Sequence, residues 1–558
     1  MAHQLEPPRP GDPYRDDPLL REYLARVLPE PAREAIEAEL RTLGEISGGR
    51  LYDLQLATRT EEPRLTQWDP WGRRVDRIEA APSWREAAEL CARHGLVATA
   101  YERRLGALSR VHQMAMVHLL EPSLDVYSCP LAMSDGAART LIDLAGPELV
   151  ERAVPRLIAR DPDRAWTSGQ WMTEQSGGSD VSGTETVARR EAGGWRLYGT
   201  KWFASAASAQ MALALARPEG NPPGSRGLAL FYLETRDDGG GPNGVTVLRL
   251  KEKLGTRKLP TAELRLDGTR AVPVRGLADG VRAVAPLLTV TRTWNAVASS
   301  AGMARALALA RDHARRRVAF GAPLREKALH RDLLAALEAE REAAFLLAFR
   351  AVELLGRSEG PEASAADRAL LRVVAPLAKL TTARQAVAVA SEAVECFGGA
   401  GYIEDTGLPR LLRDAQVLPI WEGTTDVLSL EALRALAAGE GRPAEALAGE
   451  VERRLAPVPP ELEPVAAAGL AALNRVREVL GRALDPGGEA GARRLAMTLG
   501  RTLALALLVD HARDQLHRGS GRRSLAAARR FLRNGIDLLG GAAADAEEDA
   551  LLADLAAR

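Results

Sequence analysis

The spacing of apolar residues changes twice along this chain, and those two changes constrain the fold more than any other feature. From about residue 80 to 160 the texture is helical, with Ala, Leu and Arg dominating and few β-branched residues. Around residue 166 a two-residue period takes over: Met211, Leu213 and Leu215 alternate, as do Ala262, Leu264 and Leu266, and Trp195 to Lys201 follows the turn signal Gly193-Gly194. Asp267-Gly268 and the loops 217–227 and 236–244 punctuate this block as turns. After about residue 285 the helical period returns. Met303, Leu307, Ala310 and Ala314 share one helix face. A second helix buries Leu334, Leu337, Ala344, Ala348, Val352 and Leu355 and is predicted to stop at Gly356 as a C-terminal cap. A third opens at Ser364-x-x-Asp367, a capping-box-like start, and Pro376 is expected to kink or interrupt it.

The predicted class is therefore α+β, with a central antiparallel β domain between helical ones. A chain of 558 residues is too long for a single core. The expected units are an N-terminal extension (1–60) lying over the surface or reaching a neighbouring subunit, an N-terminal helical domain (61–165), a β-barrel-like domain (166–284), a helical bundle (285–440) and an extra C-terminal helical domain (441–558). Its linker is the proline-rich stretch Leu455 to Pro464.

Charge and cysteine use narrow the function. Lys plus Arg equal Asp plus Glu, 74 each, so no whole-molecule field draws in nucleic acid or membrane. Three cysteines, Cys91, Cys129 and Cys396, lack CxxC or Cys/His spacing, which indicates a reducing compartment and no metal site. The opening MAHQLEPPRPGDP lacks the apolar core of a secretory signal. Apolar runs such as Leu503 to Val509 fall short of the ~20 residues a membrane span needs. A cytoplasmic protein with no membrane partner is the expectation.

Two segments carry candidate chemistry. In Trp421-Glu422-Gly423-Thr424-Thr425-Asp426, Glu422 follows an apolar run, where a carboxylate short of water is a better proton acceptor. Gly423 allows close backbone approach, and Thr424 can open a helix whose amides face an anion. The second segment is Met172-Thr173-Glu174-Gln175-Ser176-Gly177-Gly178-Ser179-Asp180, with Lys201-Trp202-Phe203-Ala204-Ser205 beyond it. Its hydroxyls suit the edge of an isoalloxazine and its aromatics the ring face.

In this order, MTEQSGGSD, RRRVAFGAPL, ECFGGAGY and RDAQVLPIWEGT resemble the acyl-CoA dehydrogenase flavoproteins, over roughly residues 60 to 440. The resemblance implies an acyl-CoA dehydrogenase-like fold and FAD as cofactor, with Glu422 taking the α-proton of an acyl-CoA thioester while the β-hydride passes to flavin N5. It implies FAD contacts at Met172, Thr173, Ser179, Trp202, Phe203 and Ser205, with Thr424 and Asp426 extending the site behind the base. Arg292, Ser179 and Gly423 would meet substrate. Arg317 and Phe320, with Glu395, Gly398 and Gly399, would reach the FAD of a neighbouring subunit in a homotetramer. An electron-transfer flavoprotein is the acceptor this family suggests.

Departures from the ordinary family are Glu395 in place of glutamine, Lys327-Ala328 in place of His-Gln, and Phe203 in place of the flavin-stacking tryptophan. With the two terminal extensions they are similar to the alkylation-response, AidB-type branch, in which the C-terminal domain is associated with DNA. From Arg493 to Arg533 ten arginines face two aspartates, Asp510 and Asp514, without a lysine. If they shared a face they could make several phosphate contacts. Three readings follow: a dehydrogenase, a DNA-associated alkylation-response flavoprotein with residual activity, and an acyl-CoA oxidase.

Overall fold

The computed structural model describes residues 6–237, 239–361, 363–483, 488–540 and 546–553. Helices Pro18–Val27 and Glu30–Gly48 open the chain. A hairpin of β1 (Arg64–Trp68) and β2 (Arg74–Glu79) follows, unmarked in the periodicity, then helices that include Ser109–Leu120 and α1 (Ser128–Leu144). The N-terminal segment does not lie over the surface. Tyr14, Leu20, Tyr23, Leu40 and Leu43 are buried in the same core as the long helices of the second half. The Tyr23 hydroxyl donates to Glu353 at 2.8 Å and Arg341 pairs with Asp17 at 2.7 Å. The amphipathic helices of this segment bury their apolar faces, which the hydrophobic effect favours.

Strands β3 (Ser168–Trp171), β4 (Val187–Glu191), β5 (Gly194–Ser205), β6 (Met211–Pro218), β7 (Ala229–Glu234), β8 (Val245–Leu250) and β9 (Thr261–Pro273) form one sheet. The pairings β6–β4–β5–β9–β7–β6 close a ring; β3 adds to β6 and β8 to β9. Closure removes free edges within the ring, while β3 and β8 each pair with a single strand. The sheet is mixed rather than wholly antiparallel, because β3 and β4 both run parallel to β6. Asp267-Gly268 is not a turn: both lie inside β9, where Gly268 takes φ +68° at a bulge opposite Leu197 and Tyr198. A second bulge, between Lys201 and Ala204, interrupts the pairing at Trp202 and Phe203.

The second helical block holds α2 (Ala285–Arg316), α3 (Ala328–Ser358), α4 (Ala365–Glu395) and α5 (Thr425–Ala437). Ser364 caps α4 as expected, accepting from the Asp367 N–H at 2.9 Å. Pro376 does not interrupt α4, which runs through it unbroken. Gly356 is not a cap: α3 continues to Ser358, and a side chain at 356 would meet the Ala107 carbonyl at 2.1 Å.

The C-terminal helices include α6 (Ala492–His517) and α7 (Arg523–Arg533). They lie beyond the stretch that forms the helical bundle and pack directly onto it. Leu495, Leu503 and Phe531 join the core formed by α3 and α4, and Gly500 admits Thr381 of α4 so closely that a side chain there would lie 2.1 Å from its hydroxyl. The helical stretch Glu489–His517 is long and apolar enough to cross a membrane, longer than its apolar runs suggested, but 89% of its most apolar window is buried inside the protein.

Candidate active site

Glu422 sits in a turn that few side chains adopt. Its φ is +58°, and Gly423 follows at φ +102°; a non-glycine residue in the left-handed region is held there at a cost of order 1–3 kcal/mol. Two buried cations hold the turn by its backbone. Lys379 of α4 donates to the Gly423 carbonyl at 2.6 Å, and Arg292 of α2 donates to the Glu422 carbonyl at 3.2 Å. Arg292 is also clamped by Glu431 of α5 at 2.5 and 2.9 Å. Arg292, expected to meet substrate, has both Nη atoms on Glu431 and its Nε on the Glu422 carbonyl, so in this structure it braces the turn. Burial pulls Lys379 down to about 7, against the attraction of Glu422.

The Glu422 carboxylate is lightly held. Thr291, the neighbour of Arg292 on α2, donates to Oε2 at 2.7 Å; among the described residues Oε1 takes no hydrogen bond. The side chain lines a cavity with Cys129, Met133, Thr291, Asn295 and Trp421, and Trp421 Nε1 donates to Asn295 Oδ1. One oxygen fixed and one open over an apolar cavity is an arrangement able to accept a proton from carbon. Helix α5 starts behind it, with the Thr424 hydroxyl accepting from Val427 N–H at 3.3 Å. Asp426 is exposed and pairs with Arg493 of α6 at 3.3 Å, linking the first turn of α5 to the C-terminal helices.

The second segment is a closed loop. Glu174 and Gly177 exchange backbone hydrogen bonds at 3.1 and 3.2 Å, and the buried Glu174 side chain accepts from Lys201 Nζ at 2.6 Å, Thr186 Oγ1 at 2.5 Å and Glu185 N–H at 2.6 Å. Burial alone would raise the pKa of Glu174, but Lys201 and these donors hold it below the usual value. Lys201 is itself lowered by burial. Thr173 receives the Trp202 N–H on its carbonyl at 3.0 Å. Met172 is buried with Leu213 and Leu215, whereas Ser179 is exposed.

At the β5 bulge Trp202 and Phe203 stand side by side, and Phe203 is 53% exposed. Lys251 Nζ lies 3.4 Å from the Trp202 ring centre and 4.7 Å from that of Phe203, a cation placed over both rings. Ser205 Oγ is 3.3 Å from Thr261 Oγ1. An exposed phenylalanine beside a half-buried tryptophan, with a lysine over both, fits a flat heterocycle with polar edges. The route from here to Glu422 runs through α1: Met133 packs on Ala206 and Ala209, just past Ser205, and also lines the Glu422 cavity with Cys129.

Arg317, Phe320, Glu395, Gly398 and Gly399 are all exposed. They share one end of the bundle, because Arg317 ends α2, Glu395 ends α4, and His313 and Phe397 beside them touch at 5.0 Å. The arginine-rich stretch is more balanced in charge than its sequence suggests. Six of its ten arginines have carboxylate partners, mostly on other helices: Arg493 with Asp426, Arg501 with Glu340, Arg513 with Asp510, Arg518 with Asp514, Arg523 with Glu338 and Arg530 with Asp332. Counting along the sequence saw only two of those carboxylates.

Thr291, Lys379, Cys129 and Lys251 were not found by sequence reasoning. Thr291 and Lys379 are ordinary helix residues in the sequence, and nothing in it says that they converge on one loop.

Residues 4–164 match the adaptive response protein AidB N-terminal domain, 169–269 the acyl-CoA dehydrogenase middle domain and 278–437 the acyl-CoA dehydrogenase C-terminal domain. The chain is 43% identical over 525 residues to acyl-CoA dehydrogenase family member 11 of Caenorhabditis elegans, covering 90% of this chain and 84% of that protein. It is 31% identical over 413 residues to Escherichia coli AidB, covering 72% and 73%. The solved structure of Caenorhabditis elegans ACDH-11 in complex with C11-CoA superposes with a TM-score of 0.93 at 40% identity, covering 99% of this chain and 96% of that one.

Proposed function

This chain belongs to the acyl-CoA dehydrogenase family of FAD-dependent oxidoreductases, and from that premise we propose that it carries out α,β-dehydrogenation of an acyl-CoA thioester with Glu422 as the base. The observation that carries this reading is the Glu422 turn: a carboxylate fixed at Oε2 by Thr291, open at Oε1, facing an apolar cavity. FAD, when bound, supplies the acceptor for the hydride from the β-carbon. Glu422 takes the α-proton onto its free oxygen. Lys379 and Arg292 keep the backbone from relaxing during that transfer, and the apolar walls from Met133 and Trp421 exclude water.

Trp202, Phe203, Thr173 and Ser205 would hold the flavin, with Met172 and Ser179 as framework. Arg317, Phe320, Glu395, Gly398 and Gly399 would serve a neighbouring subunit's FAD in a homotetramer; their common exposure at one end of the bundle supports this. An electron-transfer flavoprotein would reoxidise the protein. The acyl-CoA bound to the related ACDH-11 structure supports the ligand class. The ion pairs along 493–533 argue against the DNA-associated reading, because a charge already neutralised releases few counterions.

The test is anaerobic mixing of the FAD-loaded protein with a panel of acyl-CoAs that vary in chain length and in the group at the far end. Bleaching of the flavin by some chain length, lost in Glu422→Gln, is expected. Fast recolouring in air with peroxide would move the assignment to an oxidase, and a panel that leaves the flavin oxidised throughout would overturn the reading.

A further inference from the structure

Helix α2 bears more than Thr291 on its site face. Asn295, Ala298, Gly302 and Arg305 follow at helical spacing, and from Ala298 onward they line a second cavity of about 110 Å³. Glu121, Ala298 and Trp421 border both this cavity and the one at Glu422, so Trp421 stands between the base and the deeper space. Much of the deeper wall is apolar, from Ala386 and Ala390 of α4 and Leu418 before the base loop.

Arg305 breaks that apolar lining. It is 6% exposed. Its Nη2 donates to Ser123 Oγ at 2.6 Å and its guanidinium lies 5.0 Å from the Tyr52 ring centre. Its Nη1 is buried without a hydrogen-bond partner, and among the described residues no carboxylate forms an ion pair with it. Burial lowers it to about 10, as expected of a cation whose charge is poorly compensated.

The neighbouring carboxylates are committed or easily neutralised. Asp125 is shared by Arg410 and Lys258 at 2.6 Å each, and Asp414 pairs with Arg410 at 3.1 Å. Glu121 is raised by burial to about 7. A buried donor with no acceptor costs about 1–3 kcal/mol, more for a charged group, and a site that retains one is suited to a ligand that supplies the acceptor.

We propose that this cavity receives the far end of the acyl chain and that Arg305 Nη1 binds a terminal carboxylate there, making ω-carboxyacyl-CoA thioesters the preferred substrate class. This depends on the thioester reading of the Glu422 site. The fourteen positions from Thr291 to Arg305 span about 21 Å of helix. Arginine side chains lean back toward the helix N-terminus, which shortens the reach to a chain of roughly a dozen carbons or fewer.

The experiment compares flavin reduction of the FAD-loaded protein by saturated acyl-CoAs and by ω-carboxyacyl-CoAs of matched length. At the length that reaches Arg305, the carboxylated substrate should be favoured by about 10- to 100-fold in kcat/KM, the worth of one charged hydrogen bond. Arg305→Met should remove that preference. The comparison in the unmodified protein decides the matter even if the variant does not fold. Equal or better turnover of the plain chains at every length overturns the tail-end assignment and leaves the thioester reading intact. No bleaching by either series removes both.

Discussion

Two glutamates of this protein are held in opposite ways, and the difference lies in where their cations are attached. Glu174 is saturated: Lys201, Thr186 and a backbone N–H all reach its carboxylate. Around Glu422 the cations are just as close, but Lys379 and Arg292 bind the backbone carbonyls of residues 423 and 422 and leave the carboxylate to one threonine. A carboxylate tied by its side chain is a structural anion. One tied by its backbone is positioned and still free to take a proton.

The sharpest way to break this contrast is Glu422→Gln, which should lower the rate of flavin reduction by about 10²–10⁴-fold, the usual worth of a general base, while the melting temperature changes little. The converse change, Glu174→Gln, strands Lys201 in the interior. Denaturant unfolding should show a loss of about 3–5 kcal/mol, and the folded fraction should reduce flavin at an ordinary rate if the contrast holds.

Lys379→Met leaves the Gly423 carbonyl without its donor, and stopped-flow reduction should slow by a factor on the order of 10. The same variant tests pH. Wild-type Lys379 loses its charge as the pH rises through about 7, taking a positive charge from beside Glu422, so the reduction rate should inflect there and the inflection should vanish in the variant. The sign for stability follows. A lysine held below its ordinary 10.5 binds fewer protons folded than unfolded, so stability rises as pH climbs from about 7 toward 10.5 and is lost on the way back down. The variant should flatten that slope. The smallest effect belongs to Thr291→Val. It removes one hydrogen bond of about 1 kcal/mol, or several-fold in rate; an unchanged rate would mean that the turn alone positions the base.

Much of this contrast could be read before the fold was known. The helix–sheet–helix order, the loop 172–180 and the residue Glu422 all stand in local sequence, because period, glycine placement and motif order act over a few residues. The readings that failed share a cause. The N-terminal segment joins the main core rather than the surface because an amphipathic helix shows an apolar face in the sequence without saying what covers it. The Arg493–Arg533 run looked basic because its carboxylates, Glu338, Glu340, Asp332 and Asp426, come from distant parts of the chain. Asp267-Gly268 has the composition of a turn, and the long pairing of β5 with β9 turned it into a bulge instead.

By itself, then, the sequence determined the order of layers and the family, and singled out Glu422 as the candidate base. Tertiary structure alone decided how that base is held: Thr291, Lys379 and Arg292 belong to two helices whose packing brings them to one turn. It also decided which cations are spent on partners and which, like Arg305, keep a donor free. The physical reason is that charge compensation depends on separation in space, falling off over a few ångströms, while the sequence records only separation along the chain.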